Sequence, residues 1–322
     1  MAKPALWKAI LVGGVIAALG IWLTGCQPAP AAQAPKKEKL VVAIQPTLAA
    51  QEMVEKAKPL EKFLEDGLSN VDVEVYVPLS QAGVIEALRF GQAHVAFMGA
   101  WPAQLATELG GAELALAEVR EVLIDGQKKE ETYYFSYWVA AKSSPFQSVK
   151  DLQGKRACFP SPISGSGYVG PMGRMVELGL LSQPGQGKEV DPKGFFGQVI
   201  FGGGYAQCWD ALKAGQVDVT IIAGDVSEKL YNEVLANTNV LEKQGPLPSH
   251  GVVLSKELEE PLRSQVVEAI KGLGAEEHRS MMRGFISGIF VGFKATDAQS
   301  HLGPFRGYLD RTGLAFQEQI RR

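Results

Sequence analysis

The chain has 322 residues, of which 46% are hydrophobic and 21% charged, and its formal net charge is −3 at pH 7. This composition excludes a disordered or fibrous protein, and the length is enough for one large domain or two medium ones with buried cores. No run of lysines and arginines is present to neutralise phosphates, so nucleic acid is not expected as a partner.

The first 25 residues are typical of an export signal rather than of a folded element. Lys3 and Lys8 are followed by an apolar run over 9–23, and the Leu-Thr-Gly-Cys sequence that ends at Cys26 resembles the bacterial lipobox. The resemblance implies cleavage before Cys26 and diacylation of its sulfur, so residues 26–38 would be a lipidated linker. The protein would then be extracytoplasmic and lipid-anchored to a membrane of the bacterial cell envelope. An uncleaved membrane-spanning anchor is the alternative, because about 20 apolar residues suffice for one.

From residue 39 onward, short strand-like runs alternate with helix-like segments. The strands show continuous or alternating apolar residues, whereas the helices carry an apolar stripe. This order, with short glycine-containing loops, predicts an α/β fold in which a mainly parallel sheet is flanked by helices. The first predicted elements are a strand over 39–44, a helix over 52–66, a strand over 71–77, a helix over 81–90 and a strand over 93–98.

An internal repeat indicates that the chain holds two such units. Residues 87–95 match residues 211–219 at a constant offset of 124 positions, with five of the nine residues identical. A chance likeness between two amphipathic helices is the alternative. If the repeat is structural, the loops after equivalent strands face each other across a cleft, where ligands of α/β sheets usually bind. The offset pairs Gln81 with Tyr205 and Trp101 with Asp225.

Two segments are predicted to carry the chain between the two lobes. Residues 133–141 are rich in aromatic and β-branched residues, and residues 247–254 form the return crossing. The first lobe is therefore predicted to comprise residues 39–140 and 250–322, and the second lobe residues 141–249. The remaining predicted elements are a strand over 157–159, helices over 172–180, 257–272 and 276–286, and a surface loop over 182–197.

Cys158 and Cys208 are the cysteines that remain besides Cys26. In an oxidising compartment they either form a disulfide or stay as two buried thiols, because the sequence gives no distance between them.

The loop over 161–171 is the most distinctive stretch of the second lobe. It is rich in serine and glycine, and it lies between an apolar strand and a helix. Hydroxyls and unpaired backbone N–H groups at a helix N-terminus can surround an anion without lysine or arginine. Gly165, Gly167 and Gly170 also spell the G-x-G-x-x-G of a dinucleotide-binding oxidoreductase. Prolines on both sides of the loop, and the lack of an acidic residue at the end of the next strand, argue against that alternative.

A series of short motifs runs through the second lobe. The turn Leu-Gln-Gly-Lys-Arg at 152–156 leads to a strand, a proline and Ser-Gly-Ser-Gly at 164–167, followed by Phe-Gly-Gly-Gly-Tyr-Ala at 201–206 and Ala-Gly-Asp at 223–225. In this order they resemble the phosphate, phosphite and phosphonate substrate-binding proteins of bacterial ABC importers, and the similarity extends over most of residues 39–290. The resemblance implies a two-lobed periplasmic-binding-protein fold of type 2, in which each lobe is a mainly parallel sheet flanked by helices and two crossing segments join the lobes.

The resemblance also implies which residues contact the ligand. The family's Ser-Thr-Ser-Gly loop falls on residues 164–167, with Gly165 in place of the threonine, and the family's histidine and aspartate fall on Tyr205 and Asp225. An aromatic residue of the first lobe is expected near Trp101, and Gln81 is added as the repeat counterpart of Tyr205. The expected ligand-binding residues are Ser164, Gly165, Ser166, Gly167, Tyr205, Asp225, Trp101 and Gln81.

These residue types suit a tetrahedral oxyanion. Serine hydroxyls, N–H groups near Gly167 and Tyr168, and the Tyr205 phenol would donate hydrogen bonds. Asp225 would accept from the O–H of a singly protonated phosphorus oxyanion and would repel sulfate, which has no such proton. The alternatives are that the serines and Asp225 only cap helices, and that Gln81 and the two aromatic residues only pack in the cleft wall.

The sequence therefore predicts a solute-binding lipoprotein that captures phosphonate, phosphite or phosphate in an interlobe cleft and delivers it to the permease of an ABC importer. Binding of another small oxyanion, or presentation of the ligand to a sensor, is the alternative. No catalytic residue and no cofactor are expected, since the common hydrolase and nucleotide-binding motifs are missing. No metal is expected either, because the four histidines lack the spacing of metal ligands.

Overall fold

A computed structural model describes residues 37–46 and 50–316 of the chain. The predicted signal over 1–25, Cys26 and the linker up to Lys36 lie outside the described residues. Within the described ranges, no helix is both long and apolar enough to cross a membrane.

The strands of the described residues form two sheets, as the repeat predicts. Most strands are four to seven residues long, and the apolar runs read from the sequence correspond to buried strands. The strands are β1 Glu38–Ile44, β2 Val71–Tyr76, β3 Val95–Met98, β4 Glu113–Ile124, β5 Gln127–Glu131, β6 Tyr133–Ala141, β7 Arg156–Phe159, β8 Gln198–Phe201, β9 Val219–Ala223, β10 Thr238–Pro248, β11 Gly251–Leu254 and β12 Phe290–Ala295.

Helices pack on both sheets. Those predicted from apolar stripes are present, whereas α3 and α9, together with β4, β5 and β12, lie in stretches for which the sequence patterns gave no element. The helices are α1 Ala50–Gly67, α2 Gln81–Arg89, α3 Ala100–Gly110, α4 Gly170–Glu177, α5 Tyr205–Lys213, α6 Glu228–Asn237, α7 Leu262–Gly272, α8 Glu276–Arg283 and α9 Ala298–Thr312, and a π-helical turn over Gly165–Val169 leads directly into α4.

Parallel pairing is confined to three adjacent strands of each sheet. In the first sheet β1 lies between β2 and β3, and in the second sheet β7 lies between β8 and β9, all parallel. The other pairings are antiparallel. The two-sheet α/β architecture is thus confirmed, but the sheets are mixed rather than mainly parallel. The reason is that strands joined by short reversals, such as β4 and β5, lack the long crossover that parallel pairing needs.

The internal repeat is structural. Helices α2 and α5 begin and end at positions that differ by the same offset of 124 residues, and each is followed by a strand of the parallel part of its sheet. Gly91 and Gly215, which terminate the two helices, both have a φ angle of 66°. This left-handed conformation favours glycine and explains why the glycine is kept in both copies of the repeat.

The chain passes between the two sheets at positions that partly differ from those predicted. It leaves the first sheet at Thr132, between β5 and β6, and returns at Ser249 and His250, between β10 and β11. Because β6 pairs with β9 and β10, residues 133–140 belong to the second sheet. The aromatic run is therefore a strand inside the second sheet rather than the crossing itself, whereas the predicted second lobe begins only at residue 141.

The C-terminal helix α9 also joins the two halves. It follows β12 of the first sheet but packs against α4 and β10 of the second half. Tyr308 accepts a hydrogen bond from the N–H of Gly245 at 3.0 Å, and Nε2 of His301 lies 3.1 Å from the carbonyl oxygen of Ser249. On α4, Gly173 has no room for a Cβ because the Tyr308 side chain fills that space. Helix α9, which the sequence assigns to the first lobe, therefore contacts elements of both halves.

Cys158 and Cys208 form a disulfide that ties the end of β7 to α5. Both residues are fully buried. Gly202 lies directly against the bond, since a Cβ at that position would approach the two sulfur atoms to 2.8 and 3.0 Å. The disulfide links the strand that precedes the Ser-Gly-Ser-Gly loop to the helix that begins at Tyr205.

Candidate ligand-binding site

A cavity of about 260 Å³ lies between the two sheets, where loops follow the carboxyl ends of the parallel strands. This position is the usual one for ligands of α/β sheets. The cavity brings together seven of the eight residues that the sequence predicts for the site, namely Gln81, Trp101, Ser164, Gly165, Ser166, Tyr205 and Asp225.

Four helical segments in the described part of the chain begin at this cavity. Gln81 is the first residue of α2, Ala100 of α3, Gly165 of the π-helical turn and Tyr205 of α5, and each of them lines the cavity. First-turn N–H groups have no acceptor within their own helix, and the helix dipole favours negative charge at this end. The residues that precede α3 and α5 are glycines, so no side chain occupies these donors. The arrangement favours an anionic ligand.

Some backbone N–H groups of the Ser-Gly-Ser-Gly loop and the residue after it donate hydrogen bonds within the helical turn, and others stay in position to donate into the cavity. Ser164 caps the π-helical turn: its Oγ accepts from the N–H of Gly167 at 2.9 Å, and its carbonyl oxygen accepts from the N–H of Tyr168 at 3.0 Å. These two N–H groups were predicted to donate to the ligand, but they are already used, and Gly167 does not line the cavity. The first-turn N–H groups of Gly165 and Ser166 are the donors that remain in position.

Three hydroxyl groups meet beside this loop. The Oγ of Ser166 lies 2.7 Å from the phenolic oxygen of Tyr205 and accepts a hydrogen bond from Tyr134 at 3.2 Å. Burial and the nearby charge of Asp225 raise the pKa of both tyrosines, so both phenols stay protonated and can donate. Tyr134 was not predicted for the site, because its aromatic run indicated only a buried strand.

Asp225 supplies the carboxyl group of the cavity and does not cap the helix that follows it. The N-cap of α6 is Ser227, whose Oγ accepts from the N–H of Leu230. Burial raises the pKa of Asp225, whereas the nearby guanidinium of Arg120 opposes this rise. The Nη1 atom of Arg120 donates to Oδ2 of Asp225 at 3.1 Å.

Arg120 contacts a second carboxylate behind the cavity wall. Its Nη2 atom lies 2.8 Å from Oε2 of Glu118, and the side chains of Arg120 and Glu118 are 4% and 0% exposed. Burial opposes the charge of Arg120, but the two carboxylates outweigh it and raise the pKa of Arg120. Burial and the positive charge of Arg120 hold the pKa of His250 well below its ordinary value. The imidazole of His250, which lines the cavity, is therefore neutral at pH 7.

The sequence contains a signal for the buried ion pair that the predictions did not use. Along β4, Glu118 and Arg120 alternate in step with the buried residues Leu114, Leu116 and Val122. Charged residues on the apolar face of a strand are buried only when they are paired, so this pattern indicates an internal ion pair.

The cavity can bind a small oxyanion without a cationic side chain. No lysine or arginine is among the described residues that line it. Within the same described ranges, no group of three or more His, Cys, Asp and Glu side chains is arranged to hold a metal ion. Helix N-termini and neutral hydroxyls supply the donors, and Asp225 supplies an acceptor.

Replacing Arg120 by methionine should destabilise the protein strongly. The substitution leaves Glu118 and Asp225 without their shared cation, and breaking a buried pair in this way typically costs about 3–5 kcal/mol. Arg306→Met is the matched control, because the Arg306 side chain is 59% exposed and its contact with Glu108 is at the surface, where such pairs contribute about 0–1 kcal/mol. Urea unfolding measures both values, and equal losses in the two variants would contradict this assignment.

Comparison with known proteins identifies the family. Residues 42–302 match the family described as ABC transporter, phosphonate, periplasmic substrate-binding protein. The phosphate-import protein PhnD of Mycolicibacterium smegmatis is 28% identical over 182 residues, which cover 56% of this chain and 54% of that protein. The chain thus spans about half the length of this curated relative.

Solved structures share the fold. A binding protein component of an ABC phosphonate transporter from Pseudomonas aeruginosa has a TM-score of 0.57 at 20% identity, with 84% of this chain and 85% of that one covered. PhnD1 from Prochlorococcus marinus, in complex with methylphosphonate, has a TM-score of 0.58 at 15% identity, with 84% and 97% covered. These relatives are binding proteins for transport rather than enzymes, which removes the dinucleotide-dependent oxidoreductase as an interpretation of the glycine-rich loop. The chain belongs to the family of periplasmic substrate-binding proteins of phosphonate ABC transporters.

Proposed function

We propose that the protein is an extracytoplasmic lipoprotein that captures a small phosphorus oxyanion, phosphonate, phosphite or phosphate, and delivers it to the permease of an ABC importer. The observation that supports this most is the convergence of four helix N-termini and three hydroxyls on a cavity in which Asp225 is the one carboxylate among the described lining residues. The ligand named for the Prochlorococcus marinus structure and the import role named for the Mycolicibacterium smegmatis protein support the same class of ligand.

The oxyanion would sit against the Ser-Gly-Ser-Gly loop. Its oxygens would accept from the Ser164 hydroxyl, from whichever of Ser166 and Tyr205 does not donate to the other, and from the first-turn N–H groups of the π-helical turn. From the opposite side, the first turns of α2 and α3 would contribute N–H groups, and the side chains of Gln81 and Trp101 would complete the wall.

Asp225 would select the protonation state of the ligand. A carboxyl group whose pKa is raised by burial is a good acceptor for the O–H of a singly protonated phosphorus oxyanion, and the two groups then share one proton. Sulfate has no proton to share at neutral pH, so its charge would face that of Asp225 across the cavity.

Anchoring and delivery complete the proposal. Diacylation of Cys26 would hold the protein at a membrane surface, and the Ala- and Pro-rich segment after it would act as a spacer. Such a tether keeps the binding protein near the permease and raises its effective concentration there.

Isothermal titration calorimetry against a panel of oxyanions tests the ligand class. We expect binding of methylphosphonate, phosphite or phosphate, and no measurable heat with sulfate, because sulfate offers no hydrogen to Asp225. If none of the three phosphorus compounds binds, the proposed ligand class is wrong, although the fold and family stand.

Asp225→Asn should weaken the discrimination against sulfate. Removing the negative charge abolishes a like-charge repulsion that costs several kcal/mol at close range, so sulfate affinity should rise by about tenfold or more. Asp210→Asn is the control, because Asp210 lies on the exposed surface of α5, with a side chain that is 71% exposed. Competition titrations give the ratio of the two affinities, and an unchanged ratio in Asp225→Asn would remove the proposed role of this carboxyl group.

Cys26→Ala should release the protein from membranes. Without the thiol no acyl chains can be attached, so metabolic labelling with a fatty acid should disappear and the protein should move from the membrane fraction to the soluble fraction. Cys208→Ala keeps Cys26 and should retain the label. Labelling of the Cys26→Ala variant would contradict lipidation at this residue.

A further inference from the structure

His250 lines the cavity from the crossing segment between β10 and β11, and it is the one histidine among the described residues that line it. Its side chain is 30% exposed, whereas the side chain of Glu118 beside it is fully buried. A ligand in the cavity can therefore touch the ring of His250.

The backbone of His250 is fixed to β4. The N–H of Glu118 donates to the carbonyl oxygen of His250 at 2.9 Å, and the hydroxyl of Ser249 donates to the carbonyl oxygen of Glu118. The N–H of Ser249 also donates to the carbonyl oxygen of Thr132 at 3.0 Å, which joins the two crossings to each other. The ring of His250 thus projects from a fixed point at the junction of the two halves.

The two edges of the ring face different surroundings. Nδ1 lies 3.6 Å from Oε2 of Glu118, which is close enough for an electrostatic contact but long for a hydrogen bond. On the opposite edge, Cδ2 lies 3.6 Å from a Cβ built on Gly99, a residue that lines the cavity just before α3. Nε2 is bonded to Cδ2, and no described residue forms a hydrogen bond with it. Nε2 is therefore available to a ligand.

A second, much smaller cavity borders the ring on the side of Glu118. Its volume of about 10 Å³ is room for no more than one water molecule. Glu118 lines this small cavity but not the large one. Any ligand larger than water therefore meets His250 from the large cavity.

His250 is one end of a chain of ionisable side chains that begins and ends at the large cavity. Beyond Glu118 the chain continues through Arg120, whose Nη2 lies 2.8 Å from Oε2 of Glu118. Nη1 of Arg120 then donates to Oδ2 of Asp225 at 3.1 Å, and Asp225 lines the cavity again. Two carboxylates share one guanidinium in this chain, so one of them lacks a cation of its own. A proton on the His250 ring would supply that cation, and an anion in the cavity would favour it.

The elements around His250 bring further titratable side chains to this region: two phenols, a histidine and two carboxylates, namely Tyr134, Tyr205, His301, Asp225 and Glu118. Burial raises the pKa of both phenols and lowers the pKa of His301, so these three groups are neutral at pH 7. Burial raises the pKa of the two carboxylates, so they are the groups that compete with the ring for a proton.

We infer that His250 is a further ligand-binding residue: Glu118 faces its Nδ1 edge, and in mildly acidic solution Nε2 takes up a proton from the solvent and donates a hydrogen bond to the bound oxyanion. The imidazolium then supplies a cation to a cavity that has no lysine or arginine among its described lining residues. This inference rests on the proposed function, because it adds a contact to the same anion.

The contribution of His250 to binding depends on pH with a definite sign. In the unliganded protein, burial and the charge of Arg120 hold the pKa of His250 well below its ordinary value. A bound anion favours the charged ring, so binding raises this pKa. By linkage, the affinity gained through His250 is small above the pKa of the complex and grows as the pH falls through it.

Isothermal titration calorimetry with methylphosphonate at two pH values tests the contact. His250→Gln removes the titrating ring but keeps a polar side chain, so it should weaken binding by about tenfold or more at about pH 5.5 and by less than about threefold at about pH 8.5. Protonation of the ligand itself affects the unaltered protein and the variant alike, so the ratio of their dissociation constants isolates His250. An equal loss at both pH values would indicate a purely structural role and overturn the inference.

His94→Gln is the matched control. His94 is a half-buried histidine of the first half, its Nδ1 accepts from the N–H of Val41 at 2.9 Å, and it does not line the cavity. This variant should bind methylphosphonate within about twofold of the unaltered protein at both pH values.

NMR of the histidine ring nitrogens observes the proton on His250 directly and so distinguishes it from protons on the two carboxylates. At about pH 6, methylphosphonate should convert His250 from a neutral ring to an imidazolium. A ring that stays neutral in the complex down to about pH 5 would overturn the inference.

Spectra of the unliganded protein separate this inference from the proposed function. If no phosphorus oxyanion binds, the proposed function fails, whereas the arrangement of the ring is still tested. The proton of the neutral ring should lie on Nδ1, which faces Glu118, and a proton on Nε2 instead would overturn the inference.

Discussion

The ion pair between Arg120 and Asp225 is the interaction on which the candidate site depends. Arg120 projects from β4 of the first sheet and Asp225 follows β9 of the second, so their contact at 3.1 Å joins the two halves directly behind the cavity. A carboxylate beside several helix N-termini would otherwise turn towards their N–H groups and cap one of them. Arg120 holds it in place instead, and Glu118 balances the buried charge of the guanidinium. The donors of the helices thereby stay available for a ligand.

The two halves have equivalent helices and strands, but different side chains at the equivalent positions that line the cavity. The repeat places Gln81 and Tyr205 at the first position of equivalent helices, and Trp101 and Asp225 after equivalent strands. In the second half these two positions carry a phenol and a carboxyl group. In the first half they carry an amide and a buried indole. A symmetric fold thus produces a cavity with one polar side, and Phe305 of α9 is among the residues that line it.

Much of the fold and site could be predicted because both depend on local patterns. Helix starts after parallel strands placed Gln81, Tyr205 and the Ser-Gly-Ser-Gly loop at one cavity, and the repeat located its two halves. The partner of the Gly167 N–H could not be predicted, because the cap made by Ser164 depends on a π-helical turn that no local sequence pattern indicates. Arg120 and Phe305 were missed for another reason: each reaches the site from an element distant in sequence, through tertiary packing that no local pattern records. The mixed pairing of the sheets escaped prediction because β4, β5 and β12, which pair antiparallel, lie in stretches for which the sequence patterns gave no element.

The central claim is that Asp225 and a phosphorus oxyanion share one proton. It is tested most directly by calorimetry of methylphosphonate binding in buffers of different ionisation enthalpy, at an alkaline pH where the free ligand is fully deprotonated. The slope of the observed enthalpy against the buffer enthalpy gives the number of protons exchanged on binding. We expect an uptake of about one proton per ligand, because the carboxyl group and the oxyanion share it in the complex. An uptake of zero would show that the dianion binds beside an unprotonated Asp225, which would contradict a shared proton.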